Sequence, residues 1–156
     1  MSTPVINLGD LDGSDGFRIE GEPAGNSVSD IGDINGDGFD DVAVSVRNNP
    51  AQGVFTGSQY VIFGRTAGFG AAMDLSNLDG SNGFRIDGIT AYDSSTVSIT
   101  NAGDINGDGI KDMLVHVFGY EFPGDRAGFN YVVFGRTSGF SAAIDLSSLD
   151  GSDGFR

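Results

Sequence analysis

Short apolar runs bounded by glycine, asparagine, aspartate and serine recur along the whole chain. Two of them, Val42–Val46 and Met113–Phe118, are rich in branched and aromatic side chains and have the length of buried β-strands. No segment shows the period of an amphipathic helix, although Ala67–Met73 leaves room for one helical turn. The pattern therefore predicts an all-β fold. In the first half of the chain the predicted strands are Ser27–Gly32, Asp41–Val46, Gln59–Gly64 and Gly83–Asp87.

The chain repeats itself with a period of about 71 residues. Tyr60–Arg65 recurs as Tyr131–Arg136, and the segment Leu11–Arg18 recurs as Leu78–Arg85 and as Leu149–Arg156. Four short strands per repeat are the signature of a β-propeller blade. We therefore expect two antiparallel four-stranded blades, as a fragment of a larger propeller or closed by oligomerisation. The predicted boundaries are 1–20 for an outer strand of a preceding blade or one exchanged between chains, 21–87 for the first blade and 88–156 for the second, truncated in its last strand.

Two copies of the pattern Asp-x-Asn-x-Asp-Gly-x-x-Asp, at residues 33–41 and 104–112, concentrate oxygen ligands in a tight loop. Carboxylates a few ångströms apart repel each other by roughly 1 kcal/mol per pair even in water, so a cation is expected between them. Ca²⁺ accepts many flexible oxygen ligands, whereas Mg²⁺ requires a strict octahedron, so the loops predict two Ca²⁺ sites. The predicted ligands are Asp33, Asn35, Asp37, Asp41 and the carbonyl of Phe39 in the first site, and Asp104, Asn106, Asp108, Asp112 and the carbonyl of Ile110 in the second.

The same loop residues fit two other structures. Aspartate, asparagine and glycine also form turns without any metal, because their side chains bond to the local backbone. An EF-hand shares the first half of the pattern but needs a bidentate glutamate at its twelfth position, where this chain has Val44 and Val115. Because both valines lie in predicted strands, each loop is expected to join two strands rather than two helices.

The composition excludes several classes of function. The formal charge is −14, and the one lysine and seven arginines form no basic cluster, so nucleic acid is not expected as a partner. The absence of cysteine excludes disulfides and thiolate chemistry. No apolar run approaches the ~20 residues of a membrane-spanning helix. The first residues show no signal peptide, but simple Asp and Asn loops fill at extracellular Ca²⁺ concentrations, which favours an extracellular or cell-surface location.

Other polar residues recur in register. Four aspartates outside the loops, two of them near Ser81 and Ser152, are expected to cap turns rather than to bind a further cation: Asp10, Asp12, Asp79 and Asp150. Four arginines are expected to pair with aspartates between blades rather than to bind an anionic ligand: Arg18, Arg65, Arg85 and Arg136. His116, the only histidine, is interpreted as a strand residue because no catalytic partner recurs beside it.

The aromatic residues divide into two groups. Those that recur at the repeat spacing are predicted to form the blade core: Phe17, Phe63, Phe84, Phe134 and Phe155. Others fall in predicted loops where the two repeats differ: Phe55, Tyr92, Tyr120 and Phe122. Loop aromatics stack on sugars or anchor a protein partner, or else they cover the base of the loop. Both interpretations stay open.

The loops and strands together resemble the FG-GAP repeat of integrin-α-type β-propellers, which is also common in bacterial and cyanobacterial surface proteins. The matching segments are Gly32–Gly38 followed by Asp41–Val44, and Gly103–Gly109 followed by Asp112–Val115. The resemblance implies seven blades in full-length relatives, calcium in the loops and recognition through the opposite face. The chain departs from the family pattern at Val44–Arg47 and Val115–Phe118, where the family usually has a Gly-Ala-Pro stretch.

Two functions remain open at this point. The first is a calcium-stabilised module of an extracellular protein that serves adhesion by contacting a protein or a glycan. The alternative is part of a propeller enzyme acting on polysaccharide or phospholipid, with Glu121 as the candidate acid. Because nearly every aspartate already has a loop or metal role, no enzyme is expected. Two blades alone leave sheet edges uncovered, so a homo-oligomer in which the N-terminal strand completes another chain's second blade is a further hypothesis.

Overall fold

The structure, a computed structural model, describes residues 6–21, 24–46, 58–87, 98–121 and 125–156. These residues form β-strands and single-turn 3₁₀ helices and contain no α-helix, so the all-β prediction is confirmed for them. No helix among them is long and apolar enough to cross a membrane. The strands are β1 Arg18–Glu20, β2 Ala24–Gly32, β3 Asp41–Val46, β4 Ser58–Ile62, β5 Ala72–Asp74, β6 Gly83–Asp87, β7 Ser98–Gly103, β8 Asp112–Glu121, β9 Asp125–Val133, β10 Ala143–Asp145 and β11 Gly154–Phe155.

Each repeat forms one antiparallel sheet of four strands, as the sequence predicts. The first sheet, called blade 1, has the order β2-β3-β4-β6, and the second, called blade 2, has the order β7-β8-β9-β11. The outer strands of the two blades differ in the number of residues that they pair with their neighbour. β6 pairs with β4 from Gly83 to Asp87, whereas β11 pairs with β9 only at Gly154 and Phe155.

A parallel pairing that the sequence did not indicate links successive units. After the third strand of each blade the chain runs back to the preceding unit, so that β5 pairs with β1 and β10 pairs with β6. The helical turn expected in Ala67–Met73 is wrong, since the 3₁₀ turn lies later, at Leu75–Asn77. It begins there because the Asp74 side chain accepts a hydrogen bond from the Ser76 N–H and caps the turn.

The larger apolar core lies between the two blades. It joins one face of blade 1, which includes Ile34, Ala43, Val61 and Phe84, to one face of blade 2, and we call these the exit face of blade 1 and the entry face of blade 2. The entry-face residues are Ile99, Met113, Val115, Val117, Tyr131, Val133, Phe140, Ile144 and Leu146. Because neither sheet covers this surface alone, burial of apolar area between the blades stabilises both.

A smaller core lies on the entry face of blade 1. Val44, Val46 and Ile62 pack there with Met73 and Leu75 of the returning connection. The N-terminal segment covers part of it, because Phe17 and Ile19 pack against the same cluster. The N-terminal segment therefore occupies the place on blade 1 that β6 occupies on blade 2.

The five recurring phenylalanines do not all lie in the core. Phe63 and Phe84 are buried as predicted, with exposed fractions of 5% and 0%. Phe17 and Phe134 are half-buried. The prediction is wrong for Phe155, which is 45% exposed, because no described segment packs on that face of blade 2 in the way that blade 2 packs on Phe84.

Candidate metal centre

The two acidic loops join the first and second strands of the blades, as the sequence predicts. Residues 33–40 lie between β2 and β3, and residues 104–111 lie between β7 and β8. Both loops turn through glycines with positive φ, 74° at Gly36 and 78° at Gly107, a conformation that side chains with a Cβ rarely adopt. The glycine after the central asparagine is thus required by the backbone path.

The first aspartate of each loop organises the backbone around it. In the first loop, Asp33 Oδ1 accepts hydrogen bonds from the N–H groups of Gly36 and Asp37 at 2.7 and 3.1 Å, and its Oδ2 accepts one from Gly38 at 2.8 Å. Asp104 accepts the same three bonds in the second loop, from Gly107, Asp108 and Gly109. Three backbone N–H groups of the turn therefore point at one carboxylate in each loop.

The third and fifth loop positions bond to each other at the exposed side of the loop. Asn35 Oδ1 accepts from the Asp37 N–H at 2.9 Å, and Asn35 Nδ2 donates to Asp37 Oδ2 at 3.0 Å. The other oxygen of Asp37 accepts from the Phe39 N–H at 2.9 Å. The second loop repeats these bonds at 3.0, 2.8 and 2.8 Å. Sequence and hydrogen-bond geometry thus recur together.

The last aspartate of the loop is fully buried and anchors the loop to the blade. Asp41 Oδ2 accepts from the Ile34 N–H at 3.0 Å, and Oδ1 accepts from the Gly64 N–H at 2.8 Å, across to the segment after β4. Asp112 makes the equivalent bonds with Ile105 and Gly135. One carboxylate therefore fixes the loop, the second strand and the end of the third strand relative to one another.

The electrostatics of the first loop favour a positive charge. Burial raises the pKa of Asp41 from its ordinary value to about 6. The N–H groups of Gly64 and Ile34 oppose this rise, while the negative charges of Asp37 and Asp33 add to it. The buried carboxylate of Asp41 is therefore charged at an energetic cost, which a nearby cation would lower.

The donor set fits a hard cation, although the acids do not converge on one point here. Within the described ranges, no three or more His, Cys, Asp or Glu side chains stand together as a metal cluster. In both loops the carboxylates are occupied by backbone N–H groups, but a carboxylate oxygen has two lone pairs and can accept a second partner. Four side chains and one backbone carbonyl, that of Phe39 or Ile110, offer oxygen ligands in each loop, which is the chemistry that Ca²⁺ prefers.

Of the four acids outside the loops that are expected to cap turns, Asp12, Asp79 and Asp150 do so. Ser14 donates to Asp12 Oδ1 through its N–H at 2.9 Å and through its hydroxyl at 2.7 Å. Asp79 and Asp150 accept the same pair of bonds from Ser81 and Ser152. These bonds stabilise the charged form and lower the pKa of all three carboxyl groups. Asp10 accepts a bond from the Asn7 side chain.

The predicted pairing of arginines with aspartates between blades is wrong for three of the four. Arg65 Nε donates to the Gly68 carbonyl at 3.1 Å, and its guanidinium lies 4.5 Å from the centre of the Phe69 ring. Arg136 repeats this arrangement with Gly139 and Phe140. Arg18 pairs with Glu20 of its own strand at 3.2 Å. For Arg65 and Arg136, a turn carbonyl and an aromatic face therefore take the place of the expected aspartate.

The remaining candidates divide between strands and undescribed segments. His116 is a residue of β8 whose Nδ1 lies 2.9 Å from Asn130 Oδ1, so its interpretation as a strand residue is confirmed. Tyr120 and Glu121 are predicted to lie in a loop, but they belong to β8, because the ladder with β9 extends to them and pairs them with Arg126 and Asp125. Phe55, Tyr92 and Phe122 lie outside the described residues.

A cleft that the sequence did not reveal lies on the entry side of blade 1. It has a volume of about 390 Å³, and Val46, Tyr60, Asp74, Leu75 and Arg85 contribute to its lining. These residues come from β3, β4 and β6 and from the returning connection. Only the parallel pairing of β10 with β6 brings Ala142 and Ala143 to the same cleft, so no short sequence motif could have shown it.

The comparisons with known proteins point to the same repeat type as the loops and sheets. The FG-GAP repeat family model matches residues 25–62, which include the first acidic loop with the strands on both sides. Integrin alpha-4 of Xenopus laevis is 31% identical over 112 residues, which cover 70% of this chain and 9% of that protein. The chain therefore contains an FG-GAP repeat of the integrin type, built as four-stranded antiparallel blades.

Proposed function

We propose that the chain is a calcium-binding β-propeller module of an extracellular or cell-surface protein. Ca²⁺ in the loops 33–41 and 104–112 stiffens the connections between first and second strands, and the opposite face contacts a protein or a glycan in adhesion. The observation that carries the calcium proposal is the recurrence of the same oxygen donors with the same hydrogen bonds in both loops. Turns selected only for their backbone shape would not need to repeat every acid.

Calcium has a structural role in this proposal. The buried last aspartate ties the loop to the blade, while the exposed asparagine and aspartates supply the open side of the site. A metal that binds only the folded chain stabilises it by mass action, by about 2.7 kcal/mol when its free concentration is a hundred times Kd. Loops made of short Asp and Asn side chains suit the millimolar calcium outside cells.

The location and the recognition role rest on the integrin alpha-4 similarity. That protein matches the chain over 112 residues, and the match spans only 9% of its length. The similarity therefore does not identify the partner of this chain. The chain leaves β3 and β6 at the ends of the blades away from the acidic loops. The segments that follow, 47–57 and 88–97, contain Phe55 and Tyr92 and are the proposed contact surface. The proposed module is not an enzyme.

A thermal melt and a calorimetric titration test the calcium proposal. We expect EDTA to lower Tm, and Ca²⁺ but not Mg²⁺ to restore it. Asp33→Asn with Asp37→Asn, and Asp104→Asn with Asp108→Asn, should each remove one of two bound Ca²⁺ ions. Asp79→Asn, which changes a turn cap outside the loops, is the matched control and should leave two ions bound. Absence of calcium uptake by the wild-type chain would contradict the proposal.

A further inference from the structure

The two acidic loops are connected to each other by backbone hydrogen bonds at the contact between the blades. The N–H group of Lys111 donates to the carbonyl of Asp33 at 3.1 Å, and the N–H group of Arg136 donates to the carbonyl of Ile34 at 2.9 Å. Lys111 is the last residue of the second loop, and Arg136 follows β9 of the same blade. The start of the first loop is therefore bonded both to the second loop and to the segment behind it.

The bond between Arg136 and Ile34 continues to the last aspartate of each loop. Gly135, the residue before Arg136, donates its N–H to Asp112 Oδ1 at 2.9 Å. Ile34 donates its own N–H to Asp41 Oδ2 at 3.0 Å. Both aspartates are fully buried. One row of hydrogen bonds therefore joins the two carboxylates, and we call its residues the relay: Asp112, Gly135, Arg136, Ile34 and Asp41.

The segments around the relay are packed closely. Gly135 is buried, and a Cβ added there would stand 2.2 Å from the Lys111 carbonyl oxygen and 2.8 Å from that of Ile34. A Cβ added at Gly36, in the first loop, would stand 2.7 Å from Thr137 Cγ2 of blade 2. Because close-packed groups transmit a displacement to their neighbours, one loop cannot shift without moving the contacts of the other.

The relay consists of two similar halves and one link between them. In each blade the buried aspartate accepts one hydrogen bond from an isoleucine N–H at the start of its loop and one from a glycine N–H after the third strand. Within the relay, only the bond from Arg136 to the Ile34 carbonyl crosses from one blade to the other. That link can therefore be changed without replacing any predicted calcium ligand.

We propose that the two calcium sites are coupled through the relay, so that Ca²⁺ in either loop strengthens binding at the other. This inference rests on the calcium binding proposed above. A metal ion in one loop fixes the last aspartate of that loop, and with it the N–H and carbonyl groups along the relay. The other loop then loses less conformational freedom when its own ion binds, which gives positive cooperativity. By linkage, the gain in affinity is the same in both directions.

Electrostatic repulsion between the two bound ions opposes this coupling. Repulsion between exposed charges is largely screened beyond about 8 Å at an ionic strength of about 0.15 M. The relay is screened much less, because Ile34, Asp41 and Asp112 are each 0% exposed. We therefore expect the coupling to be positive at this ionic strength and to weaken as salt is removed.

Calorimetric titration with Ca²⁺ at an ionic strength of about 0.15 M tests the coupling on three chains. One is the wild type. The second lacks the first site through Asp33→Asn with Asp37→Asn, and the third lacks the second site through Asp104→Asn with Asp108→Asn. We expect the association constant for two ions in the wild type to exceed the product of the two single-site constants by roughly fivefold or more.

The result separates failure of the coupling from failure of the calcium proposal. If the wild type binds two ions and this ratio is one or less, the sites are not positively coupled and the inference is overturned. If the wild type takes up no Ca²⁺, the proposed calcium binding is itself contradicted, and the inference that rests on it is overturned too.

Arg136→Pro tests whether the coupling depends on the relay, because proline has no N–H to donate to the Ile34 carbonyl. The matched control is Arg65→Pro. Arg65 has the equivalent position in blade 1 and makes the same side-chain contacts with a turn carbonyl and a phenylalanine ring, but it lies outside the relay. With the ratio measured as above, Arg136→Pro should lower it to about one and Arg65→Pro should leave it unchanged. Equal ratios in the two variants would overturn the role of the relay.

Circular dichroism identifies a proline variant that fails to fold. In that case Thr137→Ala, which removes the methyl group beside Gly36, replaces Arg136→Pro. Thr66→Ala, at the equivalent exposed position of blade 1, is then the control. We expect only Thr137→Ala to lower the ratio, and an unchanged ratio in both would contradict the inference.

Amide hydrogen exchange measured by NMR detects the coupling when only one ion binds. In the chain with Asp33→Asn and Asp37→Asn, Ca²⁺ is expected to bind the second loop alone. It should nevertheless slow exchange of the Ile34 N–H, which bonds to Asp41 at the far end of the relay. Adding Arg136→Pro to this chain should abolish the effect. If Ca²⁺ binds the second loop and the Ile34 exchange rate does not change while the relay is intact, the inference is overturned.

Discussion

The loops 33–41 and 104–112 have nearly the same sequence and the same internal hydrogen bonds, yet they stand in different surroundings. The first loop is packed against blade 2, which buries Ile34 completely and binds the carbonyls of Asp33 and Ile34. The second loop carries Ile105 half exposed, and nothing lies within 4 Å of a Cβ added at Gly107. Local sequence therefore sets the shape of a loop, while the neighbouring blade sets how far that loop contributes to stability.

The outer strands show the same difference. Phe84 lies in the core between the blades, while Phe155, at the same position of the second repeat, is 45% exposed. Both stand close to a phenylalanine of their own blade, Phe63 and Phe134, with ring centres 5.9 and 5.8 Å apart. The contact within the blade is thus conserved between repeats, and only the contact with the next blade is missing.

The largest expected effect is the difference in lost stability between Phe84→Ala and Phe155→Ala. Phe84→Ala should destabilise the chain by about 3–5 kcal/mol, because it leaves a cavity between Phe63 and Phe140 in the larger core. Phe155→Ala should cost less than about 1 kcal/mol, since the ring is already exposed. Urea unfolding of dilute, monomeric protein measures both. Equal losses would show that the two faces are equally covered in solution.

The next largest effect is the difference in lost stability between Ile34→Ala and Ile105→Ala, the isoleucines of the two loops. Ile34→Ala should lower the free energy of unfolding by about 2–4 kcal/mol, and Ile105→Ala by less than about 1 kcal/mol, under conditions in which the chain is monomeric. The measurement is again urea unfolding at low protein concentration. Equal losses at the two positions would contradict the difference in burial between the two isoleucines.

The smallest expected effect concerns pH at the first loop. In the proposed site, calcium would bind the charged form of Asp41, whose pKa of about 6 means that protons compete with the metal below that pH. Calcium affinity of this loop should therefore rise about tenfold between pH 5 and pH 7. The measurement is calorimetry on a chain whose second loop carries Asp104→Asn and Asp108→Asn. A calcium affinity that does not change with pH would show either that Asp41 is not a ligand or that its pKa is not raised.

Without calcium, ionisation of Asp41 lowers the stability of the folded chain. The pKa of Asp41 is higher in the folded chain than the ordinary value of the unfolded chain, so the folded state binds the proton more tightly. Its contribution to stability is fully present below the unfolded pKa and is lost as pH rises through about 6. In EDTA, the Asp41 contribution should therefore fall from pH 4 to pH 7, which Tm measurements can follow.

Much of the candidate site could be predicted from the sequence because its bonds are local. Asp33 bonds to N–H groups three to five residues ahead of it, and the turn caps bond two residues ahead, so residue type and spacing suffice. The four strands of each blade were predictable for the same reason, from short apolar runs between turn residues. The calcium ligands themselves remain a prediction.

Tertiary structure alone decided the rest. The sequence determined repeats, strands, loop shape and turn caps, since those depend on neighbours along the chain. It did not determine that β5 and β10 pair in parallel with a preceding unit, that Arg65 and Arg136 lie over phenylalanine rings, or that Phe84 is buried and Phe155 is not. Each of these depends on which distant segment covers a surface, and identical segments at different places in a stack of blades are covered differently.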